Sequence, residues 1–273
     1  MGSTLEQAPA AMSDTVRLHA APPYRVVLVH GGPGGAGEMA PLARRLAPRL
    51  PVIEAMQTRL SIAALIEELR DQIAAHAQAP AVLVGHSWGA WLSLLFAARH
   101  PDLVARLVLI SSGVLEDRYA ATMRATRQAR LTAAERAEMA TVETQLNDPS
   151  VIDKGALFDR YGHLFDKVEN YDAESEPKDR FATDPAMFDR IWAEAARLRT
   201  TGELLRQVAL VQCPVLAIHG DFDPSPAEGV REPLARVLSA PFDFMLLRNC
   251  GHTPWLERQA RDELCERLQA ELG

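Results

Sequence analysis

Five short apolar runs alternate with helical patterns along this chain, and each run leads into a glycine or a small turn residue. Arg25–Val29 enters a glycine cluster, Ala81–Val84 ends at Gly85, and Val104–Ile110 ends at Ser111-Ser112-Gly113. Pro214–Ile218 ends at His219-Gly220, and Phe242–Leu247 precedes Asn249-Cys250-Gly251. Most of these runs are nearly continuous Val, Leu and Ile, the pattern of parallel strands covered on both faces. Between them, Ile62, Leu65, Ile66, Leu69 and Ile73 fall at helical spacing behind Ser61 as a cap, and Leu264, Leu268 and Leu272 repeat every four residues. Strands alternating with helices predict βαβ units: an α/β fold with a mostly parallel central sheet flanked by helices.

The rhythm breaks from about Val114 to Gln207, where helical patterns such as Met187–Arg199 dominate and an acidic, polar stretch runs from Glu169 to Asp179. We therefore expect an α/β core over 15–113 and 208–273 and an inserted helical cap over 114–207. Such a cap lies over the carboxyl ends of the strands, where open α/β sheets bind ligands. Residues 1–14, rich in Ala, Ser and Pro toward their start, read as a flexible leader, with no basic, apolar signal-peptide pattern. Before Arg25 there is room for one strand, Val16–His19.

Chemistry concentrates at strand ends. Gly85-His86-Ser87-Trp88-Gly89 fits G-x-S-x-G, follows a strand and opens a helix over Ala90–Arg99. In that context the serine sits on a sharp, strained turn that exposes its hydroxyl, next to the free N–H groups and positive end of a helix. A serine hydroxyl needs a base, and in strand–turn–helix sites the acid and then the histidine follow it along the chain. Of eight histidines only His252 follows the candidate acid segment; His30, His86 and His219 also stand at strand ends, where turn support is the simpler role. After Pro214–Ile218 come Asp221 and Asp223, which point oppositely if the turn is extended, so only one faces the histidine. The run His30-Gly31-Gly32-Pro33-Gly34-Gly35 supplies backbone N–H groups for a carbonyl oxygen, Gly32 being the expected donor and Gly31 the alternative, with Trp88 N–H as the second donor.

Other classes are disfavoured. The net charge of −7 gives no basic stripe for phosphates or anionic membranes, so no nucleic acid partner is expected. The glycine run is neither G-x-G-x-x-G nor Walker A, and no ligand spacing for a metal occurs, so neither cofactor nor metal is expected. No apolar run reaches the roughly 20 residues of a membrane span. The three cysteines, Cys213, Cys250 and Cys265, form no CxxC, which favours a reducing, cytoplasmic setting. Nothing in the sequence specifies an oligomeric state.

With these motifs placed, the chain resembles the α/β-hydrolase superfamily from about Arg25 to Leu272, through His30-Gly31-Gly32-Pro33-Gly34, Gly85-His86-Ser87-Trp88-Gly89, Gly220-Asp221-Phe222-Asp223 and Gly251-His252. The resemblance implies a Ser87–His252–Asp223 triad, because the family's acid usually stands three residues after that glycine. The first two motifs are most similar to those of proline iminopeptidases. Those enzymes usually carry an Asp-Gln-Arg-Gly-x-Gly-x-Ser segment; the corresponding stretch here is Val52-Ile53-Glu54-Ala55-Met56-Gln57-Thr58.

The resemblance implies hydrolysis of an ester, thioester, lactone or amide, with a small acyl molecule or a short peptide as substrate. An aminopeptidase would need acidic cap residues for the substrate's ammonium group, for which Glu169, Asp172, Glu174 and Glu176 are candidates, though a solvated acidic loop is the simpler reading. A third expectation is a small-molecule-binding protein that kept the fold without the chemistry. Trp192, Phe158, Phe165, Phe181, Phe188 and Met187 either line an acyl pocket or form the cap's core, and His30 is a further candidate for substrate contact.

Overall fold

The computed structural model describes residues 11–13, 15–148, 150–152, 155–175 and 185–273. Its strands are β1 (Ala11–Ser13), β2 (Val16–His19), β3 (Val26–Val29), β4 (Val52–Ala55), β5 (Ala81–His86), β6 (Val104–Ile110), β7 (Val215–Gly220) and β8 (Phe242–Leu247). Its α-helices are α1 (Ala40–Leu46), α2 (Ile62–His76), α3 (Trp88–Arg99), α4 (Ala120–Ala129), α5 (Ala133–Asn147), α6 (Gly155–Glu169), α7 (Pro185–Thr200), α8 (Glu203–Val208), α9 (Glu228–Val237) and α10 (Arg261–Leu272).

The strands form one sheet in the order β1-β2-β4-β3-β5-β6-β7-β8. From β4 to β8 every pairing is parallel; β1–β2 and β2–β4 are antiparallel. The near-continuous apolar runs follow from two covered faces. Val27, Val29, Leu83, Leu107, Leu109, Val215 and Ala217 pack on one side with α2 and α3. Their neighbours Val26, Leu28, Val84, Val108, Ile110, Leu216 and Ile218 pack on the other with α1 and α10. A period of two thus sends successive residues into two cores rather than one core and water.

Two features depart from the sequence expectation. The N-terminal sheet has two strands where one was expected: Ala11–Ser13, placed in the leader, pairs with Val16–Leu18. Its backbone pairs along the open edge of β2, and three residues carry no readable periodicity. Helix α3 also begins at Trp88, two residues before its expected start, directly after the turn residue Ser87. The β2–β4 pairing brings Arg17 and His19 to the fully buried Glu54, each 3.3 Å from its Oε2.

Between β6 and β7 the described residues are helical apart from turns, an isolated bridge and connecting segments. Ser61 caps α2 by accepting Ala64 N–H at 3.2 Å, and Thr132 opens α5 with a reciprocal capping box to Glu135. Helices α7 and α8 bury Met187, Ile191, Ala195, Leu198, Leu204 and Val208 in the same cluster as α2 and α3. By contrast, Leu131, Met139, Leu164 and Val168 form a small cluster of their own. No helix among the described residues is long and apolar enough to cross a membrane.

Candidate active site

Four loops at the carboxyl ends of β3, β5, β7 and β8 converge. Ser87, between β5 and α3, has φ 52° and ψ −115°, a strained conformation for a residue with a side chain. The turn is that sharp because α3 presses on β3: a Cβ on Gly89 would lie 2.1 Å from the Val29 carbonyl oxygen and 2.5 Å from that of His30. Ser87 N–H is tied to the Ile110 carbonyl at 3.0 Å.

The loops after β7 and β8 are equally close. A Cβ on Gly220 would meet the Cys250 carbonyl oxygen at 2.1 Å, and Phe222 N–H donates to that oxygen at 2.8 Å. This contact delivers Asp223 to His252. His252 Nδ1–H donates to Asp223 Oδ2 at 2.7 Å, and on the other side of the ring Nε2 lies 3.0 Å from Ser87 Oγ. Asp221 faces away, accepting Cys250 N–H at 3.3 Å and lying 3.6 Å from Arg248. Of the two aspartates, Asp223 is the one in contact with the His252 ring.

The electrostatics suit a base held by an acid. Burial alone would raise the Asp223 carboxyl, but His252, His219 and the Ser225 N–H outweigh it and hold it below the ordinary carboxylate range. Burial likewise opposes a charge on His252, yet the Asp223 carboxylate, helped by Glu169, holds its pKa up at about 9.

His30 is fully buried: Nδ1–H donates to the Gly31 carbonyl at 2.8 Å and Nε2 accepts Gln57 N–H at 3.1 Å. That fixes the neutral tautomer, in keeping with burial holding its pKa below normal. Gln57 also donates to the His30 carbonyl at 2.7 Å and accepts the Trp88 indole N–H at 2.9 Å, which ties the glycine loop to the start of α3. Gly31 N–H donates to Glu38 Oε1 at 2.5 Å. Neither Gly32 nor Trp88 N–H has an acceptor among the described residues.

The acidic candidates between β6 and β7 are largely committed to arginines. Asp172 pairs with Arg258 at 2.6 Å, Glu174 with Arg261 and, at 3.5 Å, Arg258, and Glu169 with Arg127 at 2.5 Å. Glu176 and Phe181 lie outside the described residues, as does the Phe158 side chain. Phe165 stacks on Tyr161 beside the small separate cluster, and Met187 is core. Trp192 packs at the edge of the main core, its ring centroid 6.2 Å from that of Trp88 and 6.4 Å from that of Trp91, with the half-exposed Phe188 beyond it.

Sequence reasoning missed Glu257, fully buried after the His252 loop. Its carboxylate accepts the N–H groups of Gly251, Tyr171 and Asp172, each at 2.7 Å. With His252 N–H donating to the Glu169 carbonyl at 2.9 Å, it straps segment 169–174 along the histidine loop. No local pattern marks such a residue, because its partners in that segment lie 85 and 86 positions away.

A model of the alpha/beta hydrolase family matches residues 26–267. No curated protein matches the sequence significantly. Solved structures of similar fold include VinJ, at 18% identity and TM-score 0.68 over 98% of each chain. A putative lipase from Acinetobacter baumannii AYE, also 18% identical, aligns at TM-score 0.63 over 97% of this chain and 90% of its own. Est816, described as an N-acyl homoserine lactone degrading enzyme, aligns at 18% identity and TM-score 0.61 over 96% and 99%. At such identities the likeness establishes the fold.

Proposed function

The chain belongs to the alpha/beta hydrolase family, and on that premise we propose that it hydrolyses small acyl substrates through Ser87, His252 and Asp223. The observation that carries the reading is the unbroken line Ser87 Oγ, His252 Nε2, His252 Nδ1, Asp223 Oδ2, with contacts of 3.0 and 2.7 Å. His252 takes the Ser87 proton as Oγ bonds to the carbonyl carbon. The displaced electron pair moves to the carbonyl oxygen, held by the N–H groups of Gly32 and Trp88. Gly31 is the poorer donor, since its N–H is already given to Glu38. Collapse breaks the bond to the leaving group, which receives its proton from His252. Water, deprotonated by His252, then attacks the acyl-enzyme and releases the acid and Ser87.

An ester-type substrate is favoured over an N-terminal peptide. Among the described candidates, Asp172 and Glu174 are paired with arginines and Glu169 with Arg127, which leaves little of their negative charge for a substrate ammonium group. The likeness to a putative lipase and to a lactone-degrading enzyme points the same way. We assign the helices of 114–207 as a cap, in which Trp192 and Phe188 offer an aromatic surface beside Trp88 for an apolar acyl group.

The test is a panel of p-nitrophenyl esters of graded acyl length, an acyl thioester, an N-acyl homoserine lactone and aminoacyl amides including a prolyl amide. The reading expects turnover of the acyl esters and weak or no turnover of the amides. Prolyl amide cleavage exceeding that of every ester would replace it with the aminopeptidase reading, and saturable binding without turnover would replace it with the binding-protein reading.

A further inference from the structure

His86, next to the nucleophile in sequence, is buried, and both of its ring nitrogens face acceptors. Nε2 lies 2.9 Å from the carbonyl oxygen of His252, and Nδ1 lies 2.7 Å from Glu38 Oε1. A carbonyl oxygen only accepts, so Nε2 donates to it, while the Glu38 carboxyl group holds the ring at its other nitrogen. The two side chains thus form a hydrogen-bonded couple at contact distance. The same Glu38 oxygen takes Gly31 N–H at 2.5 Å. The Trp255 ring meets the His86 ring edge to face at 4.6 Å, and the ring of His252 lies 4.9 Å away. Glu38 and His86 are 48 residues apart, and His86 and His252 are 166 apart, so a single chain of contacts spans three of the four converging loops.

We propose that Glu38 and His86 are positioning residues for the hydrolytic site: Glu38 holds the glycine loop through Gly31 N–H and orients the His86 ring, and the ring holds the backbone of His252. The inference rests on the triad reading above. It assigns to neither residue any contact with substrate or any proton transfer. Their work is to keep the donor loop and the base at a set spacing around Ser87, where a displacement of about 1 Å costs on the order of 100-fold in rate. Glu38 also consumes Gly31 N–H, so the loop offers one donor, Gly32, and not two competing ones.

The test compares wild type with Glu38→Gln, His86→Asn and the double variant on one p-nitrophenyl ester, with folding checked by thermal unfolding. Each single variant should lose about 10- to 100-fold in kcat with KM within about twofold, because substrate binding is left intact while the reacting groups are misplaced. If the two act through one another, the double variant should lose no more than the slower single one. Proton NMR of wild type should show a downfield imidazole resonance that persists in Asp223→Asn and vanishes in Glu38→Gln. Folded variants with unchanged kcat, or losses that multiply in the double variant, would overturn the proposal. If Glu38→Gln does not fold, the apolar pair Glu38→Leu with His86→Leu, which leaves no orphaned charge, carries the same kcat and KM comparison. A wild type without turnover would instead refute the triad reading on which the inference rests.

Discussion

Replacing Asp223 by asparagine tests the electrostatic coupling at its strongest point. The amide keeps the shape and an acceptor oxygen for His252 Nδ1–H but removes the charge. In the native site that charge does most to raise the His252 pKa from the ordinary 6.5 to about 9, against the opposing effect of burial. At 1.36 kcal/mol per pH unit the net shift amounts to about 3 kcal/mol in favour of the imidazolium that would form as Ser87 is deprotonated. Two consequences follow. The base works when neutral, so wild-type kcat/KM for an acyl ester should rise with pH toward about 9. In Asp223→Asn the midpoint should fall from about 9 to the ordinary 6.5 or below, as burial takes over, and turnover should fall by up to about 10⁴-fold. The second concerns stability. A histidine whose folded pKa is raised stabilises the fold fully below its unfolded value near 6.5 and loses that contribution as pH rises through about 9. The gap in unfolding free energy between wild type and variant should therefore shrink by about 3 kcal/mol between pH 6 and pH 9.5, measured by urea unfolding. A gap that does not change with pH, together with an unshifted rate profile, would refute the coupling.

Two further perturbations test the scaffold. Gly89→Ala sets a Cβ 2.1 Å from a backbone oxygen of β3, so it should cost several kcal/mol or abolish soluble expression, whereas Gly162→Ala, inside α6 with nothing within 4 Å, should raise the melting temperature slightly. Glu257→Gln turns one acceptor toward three N–H groups into a donor, so it should cost roughly 2–4 kcal/mol in chemical denaturation and slow turnover by loosening the His252 loop.

The parallel strands were legible in the sequence because covering both faces leaves an unbroken Val, Leu and Ile run, as at Val26–Val29 and Val104–Ile110. Ser87 and His252 could be singled out as candidates because the proposed chemistry demands particular residue types at strand ends, and the fold brings the two side chains within 3.0 Å. Asp223 was less legible: Asp221 has the same side chain two residues away, and only the contact between Gly220 and Cys250 decides which one turns inward. Strand β1 escaped notice because edge pairing needs no side-chain pattern. Glu38 and Glu257 escaped for another reason. Each has a partner far along the chain, the His86 ring for Glu38 and the N–H groups of Tyr171 and Asp172 for Glu257, and such partners leave no mark at any fixed spacing. The uneven character of the region between β6 and β7 was hidden as well, since amphipathic helices look alike whether they join the main core, as α7 does, or a small cluster of their own, as α6 does.

The central claim is that the hydroxyl of Ser87 is an activated nucleophile. Labelling of the folded protein by a fluorophosphonate probe, with Ser87→Ala alongside, tests it most directly. The account predicts one covalent adduct per chain, located at Ser87 by peptide mass spectrometry and absent from a Ser87→Ala protein that unfolds at a similar temperature. A folded wild type that takes no label, or a Ser87→Ala variant labelled as strongly as wild type, would contradict it.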